Sequence, residues 1–171
     1  MTSAGSGIML KAEWNEKGYV NVEQSVLENE SQGRFEVYHA KEPSFWLRQD
    51  EIYNMDQFEV VLRLDMNVQT PLASKLNYIW RITNSVEEYW VEWVQNKINE
   101  WENYQAGLTI TGGDFEGMTF IPSDTKPNIG YELVGKEHRS TSVGDVINDL
   151  NTNKWFIVAP AGFVELKEVL E

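Results

Sequence analysis

Two histidines, His39 and His138, are all the imidazole in the chain, and it has no cysteine. No HxH or HExxH spacing occurs, so a zinc site is not expected. A serine hydrolase needs a histidine base beside an elbow serine, and no GxSxG is present. A GxGxxG following a strand and a P-loop are absent too. What remains is carboxylate, 27 acidic residues in all, with Glu87-Glu88, Glu88 with Glu92, and Glu100 with Glu102 as close pairs. Glycosidases work with two carboxylates about 5–10 Å apart. On an extended strand Glu88 and Glu92 share a side with about 13 Å between their backbones, wide for a retaining mechanism. No catalytic residues are therefore expected, and a small glycoside hydrolase is kept only as the enzymatic option. The segments GGDFEG and NDLNTN hold oxygen ligands but lack the DxDxDG spacing of an EF-hand loop. They read as turns. No cofactor or metal ligand is assigned, and a structural calcium has no motif behind it.

The other unusual chemistry is aromatic. The segment NYIWRITNSVEEYWVEWV, Asn77 to Val94, interleaves tryptophan and tyrosine with arginine and glutamate. Read with a period of two, it is a hairpin turning near Asn84-Ser85, with Tyr78, Trp80, Ile82, Tyr89, Val91 and Trp93 on an apolar face. The opposite face then carries Arg81, Glu88, Trp90 and Glu92. An indole ringed by charged hydrogen-bonding groups suits a polyhydroxylated ligand. The ring packs on the C–H face of a sugar while the charges satisfy its hydroxyls. Trp90, Arg81, Glu88 and Glu92 are the expected contact face, with Trp101 and Tyr104 of INEWENYQAG as rim aromatics. The plainer alternative pairs Arg81 and Arg63 across strands with Glu88, Glu92 or Glu59 and covers Trp90 with a loop.

These residues need a sheet to position them, and period-two patterning dominates the chain. In FEVVLRLDM, Phe58 to Met66, alternate residues Phe58, Val60, Leu62, Leu64 and Met66 form an apolar row. Shorter strands are expected at Tyr19 to Val22, Arg34 to His39, Phe45 to Arg48, Leu108 to Thr111, Met118 to Ile121, Tyr131 to Val134, Trp155 to Ala159 and Phe163 to Leu170. Gly, Pro, Asn and Asp turns separate them. Val143, Val146, Ile147 and Leu150 instead follow a helical repeat, which predicts a short helix there. Many short strands favour an all-β antiparallel sandwich of jelly-roll type with one or two short helices at most. At 171 residues, 42% hydrophobic and 12% aromatic, one domain with a real core is expected, residues 1–7 being a small-residue lead.

A formal net charge of −13 disfavours nucleic acid and anionic membrane surfaces as partners. MTSAGSGIML lacks the basic and apolar regions of a secretory signal. That leaves a cytoplasmic protein, a virion-associated one, or a piece of a longer exported chain.

The C-terminal KWFIVAPAGFVELKEVLE resembles the ending of jelly-roll carbohydrate-binding modules, in which a strand passes through a Pro/Gly turn into a closing strand. FEVVLRLDM followed by an aromatic strand resembles the middle of such a module. The resemblance implies non-catalytic glycan binding on a concave aromatic face. Lys167-Glu168-Val169 stands where the family usually has two aspartates before the valine, so the family's calcium is not carried over. The leading expectation is a glycan-binding module. Its rival is a structural protein of a virus or phage particle, a decoration or tail component working through protein contacts, with homo-oligomers as its consequence.

Overall fold

The computed structural model describes residues 8–12, 14–15, 18–19, 28, 33–42, 52–67, 69–84, 89–105, 129–135, 137–160 and 162–169. Ten strands lie among them: β1 (Met9–Ala12), β2 (Trp14–Asn15), β3 (Gly18–Tyr19), β4 (Gly33–Ala40), β5 (Ile52–Asn54), β6 (Phe58–Met66), β7 (Ile129–Leu133), β8 (Val146–Asp149), β9 (Lys154–Ala159) and β10 (Gly162–Glu168). Two α-helices accompany them, α1 (Leu72–Ile82) and α2 (Trp90–Gln105). Eight strands form one sheet in the order β5-β1-β10-β9-β8-β4-β6-β7, while β2 and β3 make a separate ribbon. Every pairing is antiparallel.

The sheet curls. Strand β5, at one edge, runs through a single 3-10 turn, Met55–Gln57, straight into β6 near the other edge. Tyr53 and Phe58 from those two strands meet Leu10, Tyr38, Trp155, Ile157 and Leu166 in one buried cluster. A flat sheet would hold these strands far apart, so the cluster fills the inside of the curl. The outer face of β4, β6, β8 and β9 buries Phe35, Val37, Leu62, Leu64, Ile147 and Phe156 under α1 and α2. Each such side chain contributes about 1.5–3 kcal/mol on leaving water.

The β6 span Phe58 to Met66 is as expected, but its alternation is interrupted. Val37 pairs with Leu62 and Tyr38 with Val60, which leaves Val61 as an extra residue in a bulge. The bulge re-aims the strand. Phe58 and Val60 point into the curl, whereas Leu62, Leu64 and Met66 face the helices.

Two expectations are corrected. The aromatic hairpin is a pair of helices. Pro71 stands at the N-cap of α1, and Leu72, Lys75, Leu76, Ile79 and Ile82 recur at three- and four-residue intervals. Tyr78 is therefore buried beside Ile79, while Trp80 and Arg81 turn outward. In α2 the same repeat joins Trp90, Val91, Val94 and Ile98. The short helix expected near Val143 to Leu150 is instead the strand β8. Lying between β4 and β9, it is covered on both faces, so all four of its residues are buried and its apolar pattern does not alternate.

The expected strands Phe45 to Arg48, Leu108 to Thr111 and Met118 to Ile121 lie outside the described residues, as do GGDFEG and residues 1–7. Those at Arg34 to His39, Tyr131 to Val134, Trp155 to Ala159 and Phe163 to Leu170 correspond to β4, β7, β9 and β10 within one or two residues.

Candidate functional site

Helical geometry separates the described members of the expected contact face, Arg81, Trp90 and Glu92. Trp90 opens α2 and is 1% exposed. Its indole N–H donates to the Arg139 carbonyl at 2.7 Å, and its ring stacks on His138 with 5.9 Å between centroids. It is a core residue. Arg81 is exposed on the last turn of α1, its guanidinium 5.7 Å from the centre of the Tyr78 ring. Glu92 is exposed in the first turn of α2. Trp101 and Tyr104 fall on the later turns of α2, and their side chains, like all of Glu88, lie outside the described residues. Among the described residues no strand face joins Arg81, Trp90 and Glu92.

Both histidines sit against Trp90, beside a buried carboxylate. Asp145 collects four donors. Arg139 Nη1 reaches Oδ2 at 2.6 Å and Arg139 Nη2 reaches Oδ1 at 2.7 Å. The backbone N–H of Ala40 donates to Oδ1 at 3.0 Å and that of Ser142 to Oδ2 at 2.7 Å. This bidentate, charge-assisted arrangement leaves little of the carboxylate unsatisfied. His39 Nε2 shares a hydrogen bond of 2.8 Å with the Thr141 hydroxyl and lies 4.0 Å from Asp145 Oδ2. Burial pushes the His39 imidazole down to about 4; Asp145 opposes that shift, and Arg139 and His138 add to it. His39 is thus neutral at pH 7 and shut away from solvent, which suits a structural role better than proton transfer. The His138 ring donates to the Val134 carbonyl through Nε2. Among the described residues no group of three or more His, Asp or Glu is placed to hold a metal ion.

Directly in front of this cluster is an open depression of about 480 Å³. One wall is α1 and its end, where Asn77, Trp80 and Asn84 line up at intervals of three and four residues. Asn84 turns its amide back to donate to the Trp80 carbonyl at 2.7 Å. The second wall is the segment Thr141–Val143, and the floor is the β9–β10 hairpin with Val158, Pro160 and Phe163. Trp80 is 43% exposed, a large ring kept half in water. Among the described residues that line it no side chain is charged, although the chain is strongly acidic.

Hydrogen bonds pin the walls together. Thr141 N–H donates to the Thr83 carbonyl at 2.9 Å, Gly144 N–H to Val158 at 3.0 Å, and Val158 N–H to Asp145 at 2.8 Å. The sequence reading missed this site because it placed Trp80 in an apolar strand row. The signal that marks it is the helical spacing of Asn77, Trp80 and Asn84. Comparison of the chain with protein-family models, curated proteins and solved structures found no match in any of the three.

Proposed function

We propose that the protein is a non-catalytic binding module whose ligand is a neutral carbohydrate, held in the depression between α1, Thr141–Val143 and the β9–β10 hairpin. The observation that carries this reading is the half-exposed Trp80 ring flanked by two carboxamides, Asn77 and Asn84. An indole offers its face to the C–H side of a pyranose, and carboxamides and hydroxyls each donate to and accept from sugar hydroxyls. The uncharged lining, taken over the described residues, favours neutral over acidic sugars, because an anionic ligand would find no cation among them to offset its desolvation. The volume fits one or two sugar rings rather than a polymer groove.

We also infer that the curled sheet is a jelly-roll sandwich. It is supported by the wholly antiparallel pairing and by apolar clusters on both faces of the curled sheet.

The test is a glycan array with wild type and Trp80→Ala. Binding of neutral glycans that drops at least about tenfold in the variant supports the reading, a loss equivalent to about 1.4 kcal/mol. Binding unaffected by Trp80→Ala rejects this site.

A specific observation favours a second reading, a particle component that contacts copies of itself. Met9, Ile52 and Val169 are exposed near one another at the β5-β1-β10 edge, where Val169 N–H donates to the Met9 carbonyl at 2.9 Å. Sedimentation showing oligomers that dissociate in Ile52→Lys would support it, and a monomer at all concentrations would reject it.

A further inference from the structure

The depression has one soft wall and one hard one. The α1 side rests on helix backbone, whereas Thr141–Val143 is a segment without regular structure, held by a few backbone bonds at its ends and by side chains. Those side chains lie behind it. The Asp145 carboxylate takes the Ser142 N–H and is itself locked by the Arg139 guanidinium and the Ala40 N–H of β4. His39, also on β4, holds the Thr141 hydroxyl. The carbonyl of Asp145 accepts from Val158 in the pocket floor. One buried residue therefore touches the wall, the floor and the sheet together. Arg139 Nη2 also donates to the Ala40 carbonyl at 3.1 Å, which closes the loop of bonds onto β4.

We propose that Asp145 is a positioning residue for this depression: without touching the ligand, it fixes the wall whose buried anchor is Thr141, and so sets the Ser142 hydroxyl at the spacing that distinguishes one sugar epimer from another. The proposal rests on the carbohydrate reading of the same depression. The physical ground is that stacking on Trp80 is tolerant of epimers, since every pyranose presents a C–H face, whereas hydroxyl-directed hydrogen bonds are not. A misplaced polar partner leaves a desolvated hydroxyl unpaired, and that mismatch costs more than the stacking can hide.

The experiment measures affinities for the methyl glycosides of glucose, galactose and mannose by NMR titration of wild type and Asp145→Asn. The Trp80 indole N–H resonance reports contact with the aromatic wall. In wild type the three affinities are expected to spread by about tenfold or more, the worth of one well-placed hydrogen bond. In folded Asp145→Asn the Trp80 resonance still shifts, but the spread narrows to about twofold or less, because the carboxamide turns an N–H toward the donors it must accept from. A purely structural role would weaken all three sugars alike and leave the spread intact. Should Asp145→Asn fail to fold, Thr141→Val takes its place. It removes only the hydroxyl that joins His39 to the wall, and the same narrowing is expected. A full spread in a folded variant, or no spread in wild type, overturns the proposal. Wild type that binds none of the three sugars overturns the carbohydrate reading, and this inference falls with it.

Discussion

Acid should destabilise this protein through His39, and the size of the effect follows from the structure. The imidazole is buried against Trp90 of α2 and faces Thr141, Asp145, Arg139 and His138 from the segment that follows β7. Burial lowers it from 6.5 to about 4. Because the native state resists the proton that the unfolded chain accepts, the contribution is whole above pH 6.5. It is lost as pH falls from 6.5 through about 4. The gap of 6.5 − 4 = 2.5 units converts, at 1.36 kcal/mol each, to about 3 kcal/mol in full. About 2 kcal/mol of it is gone by about pH 5. The assay is urea unfolding at about pH 7.5 and about pH 5 for wild type and for His39→Gln, which offers Thr141 a hydrogen-bonding partner but does not titrate. Contributions from groups remote from His39 are common to both proteins and cancel in the comparison. The variant is expected to be less stable at the higher pH and to lose about 2 kcal/mol less than wild type on acidification. Equal losses in the two proteins would refute the argument that His39 is held neutral by burial.

Three further outcomes test the packing around the same region. Trp90→Phe removes the indole donor to the Arg139 carbonyl and leaves a void beside His138, so unfolding free energy should fall by about 2–3 kcal/mol in a denaturant titration. Gly135 has φ +82°, and an added Cβ would come within 3.1 Å of the His138 ring. Gly135→Ala should therefore cost about 1–2 kcal/mol and lower the thermal midpoint by several degrees in a calorimetric scan. Ile79→Ala empties a fully buried position between α1 and the sheet, and a loss of about 2–4 kcal/mol is expected by urea unfolding, whereas Trp80→Ala next to it should change stability by less than about 1 kcal/mol.

The contrast between Ile79 and Trp80 also shows how far the sequence could be read. Strands β4, β6, β7, β9 and β10 were legible because their apolar rows or turn residues announce them locally, and the strongly patterned β6 matched residue for residue. Two kinds of element were not. A short run such as Tyr78 to Ile82 supports either period, and the deciding information lay outside it, in Pro71 and Leu72 upstream. The sheet is covered on both faces at β8, so that strand carried no alternation and imitated a helix. The error at α1 then propagated to the site. A helix turns each residue by about 100° where a strand turns it by 180°, so Tyr78 and Trp80 part company instead of sharing a face. With that change Trp90 passed from the expected contact surface into the core, and Trp80 passed from the core to the water's edge. An indole beside two carboxamides is found at Trp80, a position that the period-two reading buried. That depression was not legible because Thr141, Ser142 and the β9–β10 hairpin come to α1 only through long-range pairing. No local spacing along the chain encodes that meeting.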